Sequence, residues 1–96
     1  MNVEKRKTKQ YIKGLPPVQA EQLLEEYKIP SPHKEILHLV CVEKCPNFFV
    51  VADKLSRIYD INISTWQIGY RLSEALEQFA SAKKFSESKK PRSIIL

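Results

Sequence analysis

Downstream of Ser64, the residues Ile68, Leu72, Ala75, Leu76 and Phe79 recur at the spacing of a single helical face, so this stretch folds as an amphipathic helix with one buried stripe. Its start is equally well marked. Ser64 follows the apolar Ile63 and is placed as an N-cap, its hydroxyl accepting from an otherwise orphaned backbone N–H of the first turn. Gln67, three residues on, stands where a capping-box partner belongs. The side opposite the stripe carries Thr65, Gln67, Tyr70, Arg71 and Glu74. Short hydroxyl, amide, phenol and guanidinium groups early on an exposed helix face suit a DNA major groove. An ordinary solvated helix face is the competing reading.

Upstream, the apolar series Phe48, Phe49, Val51, Ala52, Leu55 and Ile58 predicts a helix from about Asn47 to Tyr59, joined to the Ser64 helix by a short link. With Glu35-Ile36-Leu37 opening a first helix, Val51-Ala52-Asp53-Lys54-Leu55 in a second, and Ile63-Ser64, Ile68, Arg71-Leu72-Ser73 and Ala75-Leu76 in a third, residues 32 to 80 resemble region four of bacterial sigma factors. They resemble equally its relatives among small transcription regulators of phages and mobile elements. In that family the apolar residue before the Ser follows the Leu of the second helix closely; here Leu55 and Ile63 are eight apart. The added residues lengthen the second helix or enlarge the turn. The link has no Gly, and Asp60-Ile61-Asn62 takes its place, since Asp and Asn bond the local backbone and Asn tolerates left-handed conformations.

Prolines divide the rest of the chain into short helices. Residues 3–13 are charged and form a loose helix ending at Gly14, after which Leu15-Pro16-Pro17 is extended. A second helix over Val18 to Lys28 turns Val18, Leu23, Leu24 and Tyr27 to one side and keeps Glu21, Glu25 and Glu26 wet, stopping at Ile29-Pro30. Ser31-Pro32 reads as an N-cap with Pro at the first helical position, opening a helix that buries Ile36, Leu37, Leu39, Val40 and Cys41 before Pro46. Phe48-Phe49-Val50-Val51 is the one β-prone run and begins the next helix. The expected fold is all-α, a small bundle of four to five helices with a helix-turn-helix-like core.

Charge is segregated along the chain. Residues 1–13 and 83–96 each carry a net +4, while the stretch between them is net −3. Basic ends fit phosphate contacts that act by counterion release, and they fit solubilising tails as well. The organisation expected is a basic N-terminal arm over 1–14, the helical domain over 15–83 and a basic flexible tail over 84–96, whose Ile94-Ile95-Leu96 is a docking end.

Ninety-six residues hold one modest core and no large active-site cleft. Cys41 and Cys45 lie four apart near His33 and His38, and with no further Cys or His for a second ligand pair, two reduced thiols are expected rather than a metal, at least one of them in the core. Neither His has a Ser or Cys at nucleophile spacing, and Gly14 and Gly69 are too few for a phosphate loop, so no enzyme and no cofactor are expected. No apolar run has the length of a membrane span, and the start Met-Asn-Val-Glu-Lys-Arg-Lys lacks the apolar segment of a secretory signal. A cytoplasmic location is expected. Trp66 is expected to close over the core edge, as a Trp at a helix start commonly does.

Together the residues and the resemblance imply a sequence-specific regulator of transcription on double-stranded DNA. Thr65, Gln67, Tyr70 and Arg71 would approach base edges; Ser64, Lys54, Lys5, Arg6, Lys7, Lys9, Lys83 and Lys84 would meet phosphates. RNA polymerase is a candidate partner, and a homodimer on a palindromic site is compatible. The alternative is a protein-interaction module that binds the polymerase or another protein through the acidic middle.

Overall fold

The C-terminal helix is the axis on which the others pack. The computed structural model describes residues 3–88, as α1 (Val3–Lys13), α2 (Pro17–Glu26), α3 (His33–Leu37) continued by a π-helical turn (His38–Val42), α4 (Phe48–Tyr59) and α5 (Thr65–Ser88). There is no strand among the described residues, and the all-α expectation holds. α5 packs against α1, α3 and α4, while α1 and α2 lean on the π turn. Its stripe Ile68, Leu72, Ala75, Leu76 and Phe79 has no solvent exposure at all. Facing it are Ile12, Leu24, Ile36, Leu37, Val51 and Leu55, each buried, which makes one continuous core.

Local chemistry sets each boundary. Asn47, extended at φ −158°, caps α4 by accepting from the Val50 N–H at 3.1 Å. Asp60 ends it in the left-handed region at φ 54°, and the Ile61 N–H returns to the Ser56 carbonyl at 3.2 Å. The eight-residue spacing from Leu55 to Ile63 therefore divides between a last turn of α4 and an open link, pinned where Ser56 Oγ accepts from the Ile63 N–H at 3.2 Å.

Four expectations are corrected. Residues 3–13 are not an arm: α1 is docked on α5, with Ile12 buried and Lys5 bonded to Ser73 and paired with Glu77 at 3.0 Å. The bundle thus begins before residue 15. α5 runs through Ser88, past the expected boundary at 83, because its residues keep helical bonding and ion pairing such as Lys83 to Glu87 at 2.7 Å. The rest of the expected tail, with Ile94-Ile95-Leu96, lies outside the described residues. α2 covers Pro17–Glu26 and leaves Val18 67% exposed, so its core contribution falls to Ala20 and Leu24. Finally, α3 starts at His33; the Ser31 hydroxyl donates to Glu35 Oε2 at 3.0 Å instead of capping a backbone N–H.

Candidate functional site

The N-terminal half of α5 is held at a fixed angle to the bundle by its cap and by α4. Ser64 Oγ accepts from the Gln67 N–H at 3.2 Å, and Gln67 Oε1 accepts from the Ser64 N–H at 2.9 Å, a complete capping box. Below it Ile68 and Leu72 are buried, and the Phe48 ring of α4 lies against Gly69, where a Cβ would stand 3.4 Å from its Cε2. A Cβ there would make only ordinary van der Waals contact with that ring, so α4 packs against α5 at this point without depending on Gly69.

That face has two edges, about 100° apart on the helix. On one, Gln67 and Arg71 are exposed and border a cavity of about 310 Å³ floored by Ile36, Leu55, Ile63 and Ile68 and edged by Asn62 of the link. On the other, Trp66 and Tyr70 stack with ring centroids 5.9 Å apart and planes 16° from parallel. Trp66 is 75% exposed, so it does not close over the core. Its position relative to the buried stripe is the reason: residue 66 lies nearly opposite Ile68, Leu72 and Ala75 around the helix. Thr65 is half-buried beside them.

The residues expected at base edges are therefore together at one helix end, although they do not point one way. Gln67 is also partly committed. With one lone pair of its Oε1 in the cap, Gln67 keeps the second lone pair and its amide NH2 for a partner, on an amide whose orientation the cap already sets. Arg71 makes no hydrogen bond or ion pair with another described residue and presents its full guanidinium fork.

The expected phosphate contacts are dispersed and several are engaged. Lys54 pairs with Glu43 at 3.1 Å, and this bond holds its ammonium above the usual range. Lys83 pairs with Glu87, which raises it likewise, and sits 4.9 Å from the Tyr11 ring centroid. Lys5 is committed to Ser73 and Glu77. The Ser64 hydroxyl serves the cap through its lone pair and retains a proton to donate. Arg6, Lys7 and Lys84 are exposed, and Lys9 is half-buried.

A second concave region lies between α2 and α3, about 510 Å³, bounded by Glu21, Glu25, Glu35 and Glu43 with His38 and Lys34. His38 Nδ1 is 3.2 Å from Glu43 Oε2, and Lys34, bonded to Glu25, is held above its usual range by that bond. Among the described residues no three His, Cys, Asp or Glu side chains come together as a metal site. Cys41 is buried and its thiol is pushed up to about 11 by loss of solvent, with Lys9 and Lys13 pulling the other way; Cys45 is half-buried, and both are free. No described helix is long and apolar enough to cross a membrane.

No protein-family model matches this chain, and comparison with curated proteins and with solved structures finds no similar one.

Proposed function

We propose that the chain is a sequence-specific regulator of transcription that reads double-stranded DNA with the N-terminal half of α5. The observation that carries this reading is the anchoring of that half. A reciprocal cap fixes its start, its apolar stripe is wholly buried, and Arg71 and Tyr70 are left exposed on an element with little freedom to move. Rigid placement of a few polar groups is what base readout needs, and each bidentate pair contributes about 1–3 kcal/mol of discrimination. α4 crosses beneath it as the supporting helix of such a pair.

The resemblance of residues 32 to 80 to region four of sigma factors supports the same assignment, and with it a phage or mobile-element origin, a cytoplasmic location and RNA polymerase as a further partner. The open link Asp60–Ser64 implies a docking angle different from that of a tight helix-turn-helix. Among the residues expected at phosphates, Arg6, Lys7 and Lys84 are exposed and pair with no carboxylate among the described residues, which suits them to phosphate contacts.

One observation favours the second reading, a protein-interaction module: the acidic hollow between α2 and α3, which has an apolar floor of Leu24 and Leu39 and the exposed Val18 and Ile58 at its margin. Titration of a labelled random-sequence duplex over a range of salt separates the two. A DNA reader binds it with a log-affinity that falls steeply with log-salt, by about 0.9 for each phosphate contacted. A chain that leaves the duplex unbound at low salt belongs to the second reading.

A further inference from the structure

The link between α4 and α5 forms one wall of the cavity of about 310 Å³. A tight turn has no residues to spare for such a wall; here Ile61, Asn62 and Ile63 line the space together with Ile36 of α3, Leu55 of α4 and Ile68 of α5. The wall is pinned, because the Ile61 N–H donates to the Ser56 carbonyl and the Ile63 N–H to Ser56 Oγ, each at 3.2 Å. The floor is equally fixed: Ile36, Leu55 and Ile68 belong to the buried core. The concavity is thus built from three packed helices and a tethered segment.

Charge narrows what such a space can hold. Arg71 is the one charged residue among those lining it, and no carboxylate lines it. Lys5, Lys34, Lys54, Arg57 and Lys83 each pair with a carboxylate, whereas Arg71 makes no hydrogen bond or ion pair with another described residue. Gln67, one turn earlier on the same edge, spends its Oε1 on the cap and keeps its amide NH2 to donate. An apolar floor with a few polar donors at the rim is the general form of a small-molecule site. The planar fork of an arginine matches a carboxylate with two parallel bonds, and a single guanidinium balances its single charge, where a phosphate dianion would call for more than one cation. Size follows from the volume. An apolar cavity of about 150 Å³ holds a benzene ring, so this one has room for about twice as much, a body of roughly ten carbons with its carboxylate.

We infer that this cavity binds a small monocarboxylate, an aryl- or alkyl-carboxylic acid whose apolar body lies on Ile36, Leu55, Ile63 and Ile68 and whose carboxylate pairs with Arg71. The inference does not rest on the duplex reading, although both use Arg71: it needs only the cavity and the unpaired guanidinium. The hollow between α2 and α3, bounded by four glutamates, repels the same ligand and serves as an internal control.

4-Phenylbutyrate has the required size and charge. Titrated into the full chain at millimolar concentration and near neutral pH, it should shift the methyl NMR signals of Ile36, Leu55, Ile63 and Ile68 saturably and leave those of Leu24 and Leu39, at the acidic hollow, in place. 4-Phenylbutanol, which has the same body without the charge, should bind the parent roughly ten-fold more weakly, as expected for loss of hydrogen bonds between charged groups. Arg71→Ala should bind the acid as weakly as the parent binds the alcohol, and Arg71→Lys should recover part of the difference. Acetate, with the charge and no body, should shift none of the four. Arg71 is exposed, so the spectra of the free variants should otherwise superimpose on that of the parent. Absence of a saturable shift at the four cavity residues, equal affinity of the parent for acid and alcohol, or equal affinity of parent and Arg71→Ala for the acid overturns the inference. So do shifts that spread to Leu24 and Leu39, which mark adsorption over the whole surface. Duplex binding enters none of these measurements, and it stands or falls on its own.

Discussion

His33 Nε2 lies 3.1 Å from Glu74 Oε1, joining the start of α3 to the middle of α5. Glu74 is thereby turned toward the bundle, and its charge counts less against an anionic partner on the exposed face than its place in the helix suggests. His33 is 8% exposed, and its Nδ1 has no hydrogen-bond partner among the described residues.

Removing the carboxylate leaves the His33 ring buried with neither nitrogen bonded. Glu74→Ala is expected to cost about 1–3 kcal/mol of stability, while Glu74→Gln, which keeps an acceptor at Nε2, costs less. Chemical denaturation of the two variants measures the difference. Equal midpoints would mean that the contact carries no net stability.

The buried stripe and the presented edge of α5 should respond oppositely to truncation. Leu72→Ala and Leu76→Ala, at positions with no exposure, are each expected to lose about 2–5 kcal/mol, a large part of the stability of a small domain. Arg71→Ala and Tyr70→Ala should melt within a few degrees of the parent, since both side chains are exposed. Thermal melts followed by circular dichroism check both halves.

Cys41 gives the fold an alkaline limit. Its folded thiol is raised from 9.0 to about 11, so the protonated form is favoured in the folded chain. The stability this contributes is complete below pH 9 and is lost as pH rises through 11, by on the order of 2–3 kcal/mol. Comparing melts of the parent and Cys41→Val at pH 7 and pH 10.5 isolates that loss from every pH effect the two chains share. The parent should lose more on going alkaline. At pH 7, a thiol reagent should modify the half-buried Cys45 well before Cys41.

What could be read from residue order, and what could not, follows from the range of the interactions involved. The Ser64–Gln67 cap, the stripe of α5 and the extent of α4 are local: each depends on residues within a few positions, where 3.6-residue periodicity and cap chemistry act. The docking of α1 is not local. It depends on Ile12 as the single buried residue of an otherwise charged helix and on Lys5 meeting partners 68 and 72 positions away. The π turn at His38–Val42 likewise has no signature in residue order. Trp66 is a different case. The preference of tryptophan for core edges points inward, whereas the stripe that puts Tyr70 outside puts residue 66 outside with it; the periodicity prevails because all five stripe positions are already committed to the core. Of the site, the Arg71 and Tyr70 positions were legible from that stripe. The commitment of Lys5 and Lys54 to distant carboxylates was not.

Base-edge readout by α5, as proposed, is tested by selecting bound sequences from a random duplex pool, carried out in parallel with the parent and Arg71→Ala. The parent should enrich a defined consensus, and Arg71→Ala, folded as the parent is, should lose preference at one or two positions of it, with about 1–3 kcal/mol of discrimination gone. Failure of the parent to enrich any sequence, or an identical consensus with undiminished preference from Arg71→Ala, would contradict it.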